Sequence, residues 1–141
     1  MKTFGKSRST TAPPTRVWSI WRDPNNWNKW NTGIRDCAMD GGGPLANGAT
    51  GLMVTNRGTK HRVVFSNVDE GRGFQLSMSG PPLTTFTFTC DIEPEGTGSR
   101  ISQSITISGA LAFLFAPMGK GMANHFVPVL DGLAKAAETT A

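Results

Sequence analysis

Through most of this chain apolar and polar positions alternate with a period of two, the signature of strands with one buried face. Phe86, Phe88, Cys90 and Ile92 fall on one side, and Thr85, Thr87, Thr89 and Asp91 on the other. The next segment repeats the arrangement, with Ile101, Gln103, Ile105 and Ile107 opposing Ser102, Ser104 and Thr106. Segments 34–40, 50–56, 60–68, 72–79, 83–93 and 99–108 all carry strand chemistry. Turn clusters divide them: Asp40-Gly41-Gly42-Gly43-Pro44, Asn56-Arg57-Gly58, Glu70-Gly71-Arg72-Gly73, Gly80-Pro81-Pro82 and Glu95-Gly96-Thr97-Gly98. A Thr/Ser-rich opening stretch, 3–11, reads as one further strand.

Helical spacing appears on either side of this run. Pro13-Pro14 stops the first strand and starts a helix on which Val17, Ile20 and Trp21 recur, Pro14 suiting the first turn. Asp23-Pro24 breaks it and opens a short second helix, Asn25 to Trp30, with Trp27 and Trp30 on one face. Trp18, Trp21, Trp27 and Trp30 together look like an aromatic binding box. From about Pro117 to Ala137 a stripe of Met118, Met122, Phe126, Val129 and Leu133 predicts one long helix, with His125 at its inward edge. The order is β-αα-β6-α, an α+β fold. Its antiparallel sheet has one apolar face, and only the last helix is long enough to cover it. Gly119 and Gly121 weaken the first turns of that helix. They predict either a movable entry to the interior or close packing against Trp30 or a neighbouring strand.

Composition narrows the function classes. The 141 residues suit one domain, 1–141, with 38% hydrophobic and 17% charged positions. The net charge of +4 is spread along the chain, without the concentrated stripe of a nucleic-acid binder. With no Tyr, no phenol can act as an acid. Cys37 and Cys90 lack CxxC or His partners at metal spacing, so two buried reduced thiols are expected, with no metal and no cofactor. The N-terminus lacks the apolar core of a secretory signal, and the longest apolar stretch, Ala110 to Met118, is too short to span a membrane. A cytoplasmic protein is expected. Gly41-Gly42-Gly43 precedes Pro44 in a hairpin turn and is no phosphate cradle, and no GxSxG is present.

Several motifs together resemble the START-like (SRPBCC) superfamily, in particular its bacterial polyketide cyclase/dehydrase-like branch. They are Ala12-Pro13-Pro14-x-x-Val17-Trp18, Asp23-Pro24-x-x-Trp27-x-x-Trp30, Asp40-Gly41, Gly48-x-x-Gly51, Val68-x-x-Gly71-Arg72, Glu93-Pro94-x-Gly96-x-Gly98 and Gly109. The match runs essentially end to end. It implies a helix-grip fold: a seven-stranded curved antiparallel sheet wrapped around a long C-terminal helix, with a cavity between them. It also implies binding of a small hydrophobic ligand, lipid- or polyketide-like. Polyketide cyclase, aromatase or dehydratase chemistry in the same cavity is the alternative, and a chaperone-cofactor-like or toxin-like interaction protein a second one. Cyclases of this branch orient their substrates with Arg, Tyr, Ser, Asn or His groups, of which this chain lacks Tyr.

Candidate cavity residues follow from the inward faces and from the resemblance. From the helices they are Trp30, Met118, Met122, His125 and Phe126. The sheet contributes Cys37, Met39, His61, Phe65, Leu76, Met78, Phe86, Phe88, Gln103 and Ile105. Arg35 lies where the resemblance puts the cavity mouth and could meet an anionic head group. His61, His125 and Gln103 are the candidates for catalysis. Each imidazole is either a hydrogen-bonded or rim group or a general acid/base. Gln103 is the single polar residue on its face, and its amide must find partners in protein, water or ligand. The oligomeric state, monomer or homodimer, stays open.

Overall fold

A computed structural model describes residues 2–79 and 82–139; Gly80 and Pro81 of the fourth turn lie outside the described residues. The strands are β1 (Lys2–Thr10), β2 (Ile34–Met39), β3 (Thr50–Thr55), β4 (Lys60–Asp69), β5 (Gly73–Ser79), β6 (Thr85–Glu95) and β7 (Gly98–Ser108). They form one antiparallel sheet in the order β1-β7-β6-β5-β4-β3-β2. Register shifts between Ser66 and Asp69, and between Ile34 and Asp36, interrupt the ladder. Such bulges bend a sheet.

The two faces differ as the alternation requires. Ile101, Ile105 and Ile107 are buried on the concave side with Phe86, Cys90 and Ile92. On the outer side the hydroxyls and amides bond across strands: Gln75 Nε2 donates to Thr89 Oγ1 at 3.1 Å, and Ser77 and Thr87 meet at 3.3 Å.

Helix α1 (Pro14–Trp21) and a 3-10 helix (Pro24–Lys29) close one end of the concave face. Trp18, Trp21 and Trp27 all pack on Phe74, with ring centres 5.5–6.4 Å apart, and Trp27 also meets Phe65. The Trp27 indole donates to the Trp21 carbonyl at 2.9 Å, which fixes one helix on the next.

The C-terminal cover departs from the single helix that the stripe predicts. A short α2 (Ala112–Phe115) is followed by α3 (Met118–Asn124) and the long α4 (Phe126–Thr139), with a break at His125. The cause is Pro128, which has no N–H to donate to the Asn124 carbonyl and whose ring would crowd it. The break shifts the buried stripe. In α3 the buried residues are Gly119 and Ala123, leaving Met118 47% exposed; α4 buries Phe126, Val129, Leu130, Leu133, Ala134 and Ala137. Side chains tie α4 to β1 twice: Arg8 pairs with Asp131, and Thr10 Oγ1 donates to Glu138 Oε2 at 2.6 Å. No helix among the described residues is long and apolar enough to cross a membrane.

Candidate functional site

The sheet, α3, α4 and the 3-10 helix enclose a cavity of about 510 Å³, within the usual size of small-molecule sites. Its depth follows from the register. Inward rows run across β5 to β7 as Met78–Phe86, then Leu76–Phe88, then Phe74–Cys90–Gln103. Each row is two residues further down, so Gln103 lies roughly 13 Å below the Met78–Phe86 row. Met122, Phe126, Pro128 and Val129 supply the cover, and Trp21, Trp27 and Trp30 line the helical side. Phe88 and Phe126 meet edge to face at 6.0 Å, joining wall to cover.

Polar groups are few and unequal. Near the opening, Thr55 and Thr59 share a hydroxyl bond at 2.8 Å, and Asn56 Nδ2 donates to the Thr32 carbonyl at 3.1 Å. Asn31 Oδ1 accepts from the Gly33 amide at 2.9 Å. In contrast, the side chains of Gln103, His61, His125 and Arg57 line the cavity without a hydrogen bond among the described residues. Gln103 and His61 are half-buried; His125 and Arg57 are exposed at the rim. Cys90 is a weak nucleophile: burial, with the nearby Asp91 charge, raises its thiol well above the ordinary range and keeps it protonated. Burial, then Asp36, pushes Cys37 up to about 11. Both thiols are free. Among the described residues no three His, Cys, Asp or Glu side chains gather to hold a metal.

Of the residues expected at the site, the cavity brings together Trp30, His61, Leu76, Met78, Phe86 and Phe88. Gln103, Met122, His125 and Phe126 also line it. Others stand elsewhere. The irregularity between Ile34 and Asp36 leaves Arg35 exposed, donating from Nη2 to the Asn56 carbonyl at 3.3 Å, outside the cavity lining. Cys37, Met39, Phe65 and Ile105 do face inward, but into solid packing. Phe65 lies against Trp27 and Phe74, and β7 at Ile105 lies beneath the helical cover. Met118 is turned out by the helix break. Sequence reasoning missed Trp21, Met53, Arg57 and Cys90 as lining residues. Met53 was within reach, since it pairs directly with His61 across β3 and β4.

A curved seven-stranded antiparallel sheet gripping a long C-terminal helix over an internal cavity is the START-like, helix-grip class. The chain belongs to the polyketide cyclase / dehydrase and lipid transport family, whose model matches residues 1–138. Solved structures share the fold at low identity. The crystal structure of Ara h 8.0201, a Bet v1-like protein, superimposes with a TM-score of 0.76 at 15% identity, covering 99% of both chains. XoxI from Bacillus cereus gives 0.77 at 15%, covering 99% of this chain and 97% of the other. A protein from Nitrosospira multiformis gives 0.74 at 20%, covering 99% and 97%. No curated protein matches the chain by sequence.

Proposed function

We propose that this protein binds a small hydrophobic molecule in the cavity between its curved sheet and the α3–α4 cover. The observation that carries the reading is an open interior of about 510 Å³ walled by Leu76, Met78, Phe86, Phe88, Met122 and Phe126. A solid core would close this space, because empty apolar volume forfeits contacts at roughly 24 cal/mol per Å³. The Gln103 amide then supplies a polar anchor at depth.

The test uses N-phenyl-1-naphthylamine, an uncharged apolar fluorophore. Wild type takes it up saturably, and Met122→Trp, which fills the space from the cover, does not. Equal uptake by both proteins, or none by wild type, contradicts the reading.

One observation favours a second reading. His61, His125 and Gln103 share this cavity, and two imidazoles suffice to move protons on an already activated polyketide-type chain that the amide holds by hydrogen bonds. Its test is the product distribution from such a substrate. If wild type and the His61→Ala, His125→Ala, Gln103→Ala triple variant yield the same products, the protein is a binder and not a catalyst.

A further inference from the structure

We infer that the ligand is an anionic amphiphile, its apolar body inside the cavity and its acidic head at the rim beside Arg57. This rests on the binding reading above and adds the sign of the head group.

The first support is a charge asymmetry. The chain has 10 Asp and Glu, yet none of them lines the cavity, whose ionisable lining is Arg57, His61, His125 and Cys90. Cys90 is held protonated at depth, so the cation at the rim is uncompensated.

The second support is that Arg57 has no ion pair among the described residues. Of the eight arginines, Arg8 pairs with Asp131, Arg62 with Asp40 at 2.6 Å and Arg100 with Glu95 at 3.8 Å, and of the other five only Arg57 lines the cavity. The acids on or beside β2 are no substitute. Asp36 and Asp40 lie outside the lining, and Asp40 already accepts from Arg62 and from Thr50. Arg35 reaches the Asn56 carbonyl, so a second guanidinium reinforces the positive potential of the 56–58 turn.

The third support selects a charged head over a neutral one. Of the neutral hydrogen-bonding side chains at the rim, Thr55, Thr59 and Asn56 are bonded to protein already. What remains open there is the Thr32 hydroxyl beside the Arg57 guanidinium and the His125 imidazole. A carboxylate or phosphate head makes a charge-assisted bond to the guanidinium, roughly twice as strong as the bond an alcohol makes there, and an ammonium is repelled.

The test displaces N-phenyl-1-naphthylamine from the full chain with dodecanoate, dodecyl phosphate, dodecan-1-ol and dodecyltrimethylammonium, each below its micelle concentration. The anions are expected to displace the probe at about two- to fivefold lower concentration than the alcohol, the yield of one rim ion pair. The two anions separate a carboxylate head from a phosphate head. The advantage should vanish, leaving anions and alcohol equal, in Arg57→Gln and at roughly 0.5 M salt, and return in Arg57→Lys. Arg57 is exposed in a turn, so these variants keep the fold. If the alcohol displaces as well as the anions, or Arg57→Gln retains the preference, the inference is wrong while the cavity still binds. If the probe never binds saturably, the binding reading itself has failed.

Discussion

Gly119 and Gly121 sit two residues apart in α3, and the same substitution at each should move stability in opposite directions. In a helix, Gly→Ala gains up to about 1 kcal/mol from propensity alone. At Gly121 a Cβ would find nothing within 4 Å, so this gain stands undiminished. At Gly119 a Cβ would lie 3.1 Å from Phe4 Cγ and, at Cδ2 and Cε2, inside the 3.0 Å that real Cβ contacts respect. The Phe4 ring has little room to yield, because it packs on the core from β1 directly opposite the fully buried Ile105. Forcing a methyl into such packing costs roughly 1–3 kcal/mol. Gly119→Ala therefore comes out about 1 kcal/mol less stable than wild type and about 2 kcal/mol below Gly121→Ala. Urea unfolding measures the gap directly; in thermal melts it corresponds to several degrees for a chain of this length. Phe4→Leu should recover part of the Gly119→Ala loss, a coupling of at least about 0.5 kcal/mol. A Gly119→Ala protein as stable as Gly121→Ala refutes the packing argument. If instead Gly121→Ala slows uptake of N-phenyl-1-naphthylamine, the start of α3 moves to admit ligand and these glycines serve that motion.

Gly132 presents the same geometry against backbone: a Cβ would press on the Trp30 carbonyl, 3.3 Å from its carbon and closer to its oxygen. Gly132→Ala should cost about 1–3 kcal/mol in urea unfolding and weaken probe binding through Trp30; an unchanged midpoint would show that α4 can lift away freely. Gln103→Leu removes an amide with no hydrogen bond among the described residues, so the free protein should gain up to about 1 kcal/mol, and affinity for ligands with a deep hydrogen-bonding group should drop. A loss of stability with affinity retained would instead assign Gln103 to the fold. A thiol raised from 9.0 to about 11 has about a hundredfold less thiolate near pH 8, so iodoacetamide should label Cys37 about a hundredfold more slowly in the native protein than in guanidinium, and Cys90, raised well above the ordinary range by burial, should label slowly too. Rapid native labelling of Cys90 would mean an ionised cavity thiol.

Alternation made most of the sheet legible, since a period of two assigns each side chain to a face whatever the tertiary context. The polar outer face needed nothing more, and the Gly- and Pro-rich turn clusters set the strand bounds. The helical stripe was a weaker guide. Counting apolar positions from Met118 to Leu133 overlooks the missing N–H of Pro128, although that proline stands in the sequence and predicts a break. Arg35 stands exposed against the 56–58 turn and not in the cavity wall, and nothing in residues 34–36 announces the irregularity that turns it outward. Arg57 read only as a turn residue, because its place at the rim depends on where the β3–β4 hairpin ends relative to α4, a long-range fact.

Which inward residues meet open space and which meet solid packing is harder still, because it depends on the path of the cover. The helices α3 and α4 rest on β1 and β7. There Ile105 is sealed, while Leu76 and Met78 on β5, equally apolar and equally inward, face the cavity. Two glycine contacts hold the cover close on either side of the Pro128 break: Gly119 lets α3 down onto Phe4, and Gly132 lets α4 down onto Trp30. Between them Met122, His125, Phe126 and Val129 bridge the gap that β5 and β6 curve away from. The cavity is thus the space left where a broken helical cover, anchored at its two close approaches, spans a bent sheet. No periodicity in the chain encodes that space, but the two glycines and the proline that set it are ordinary, mutable residues.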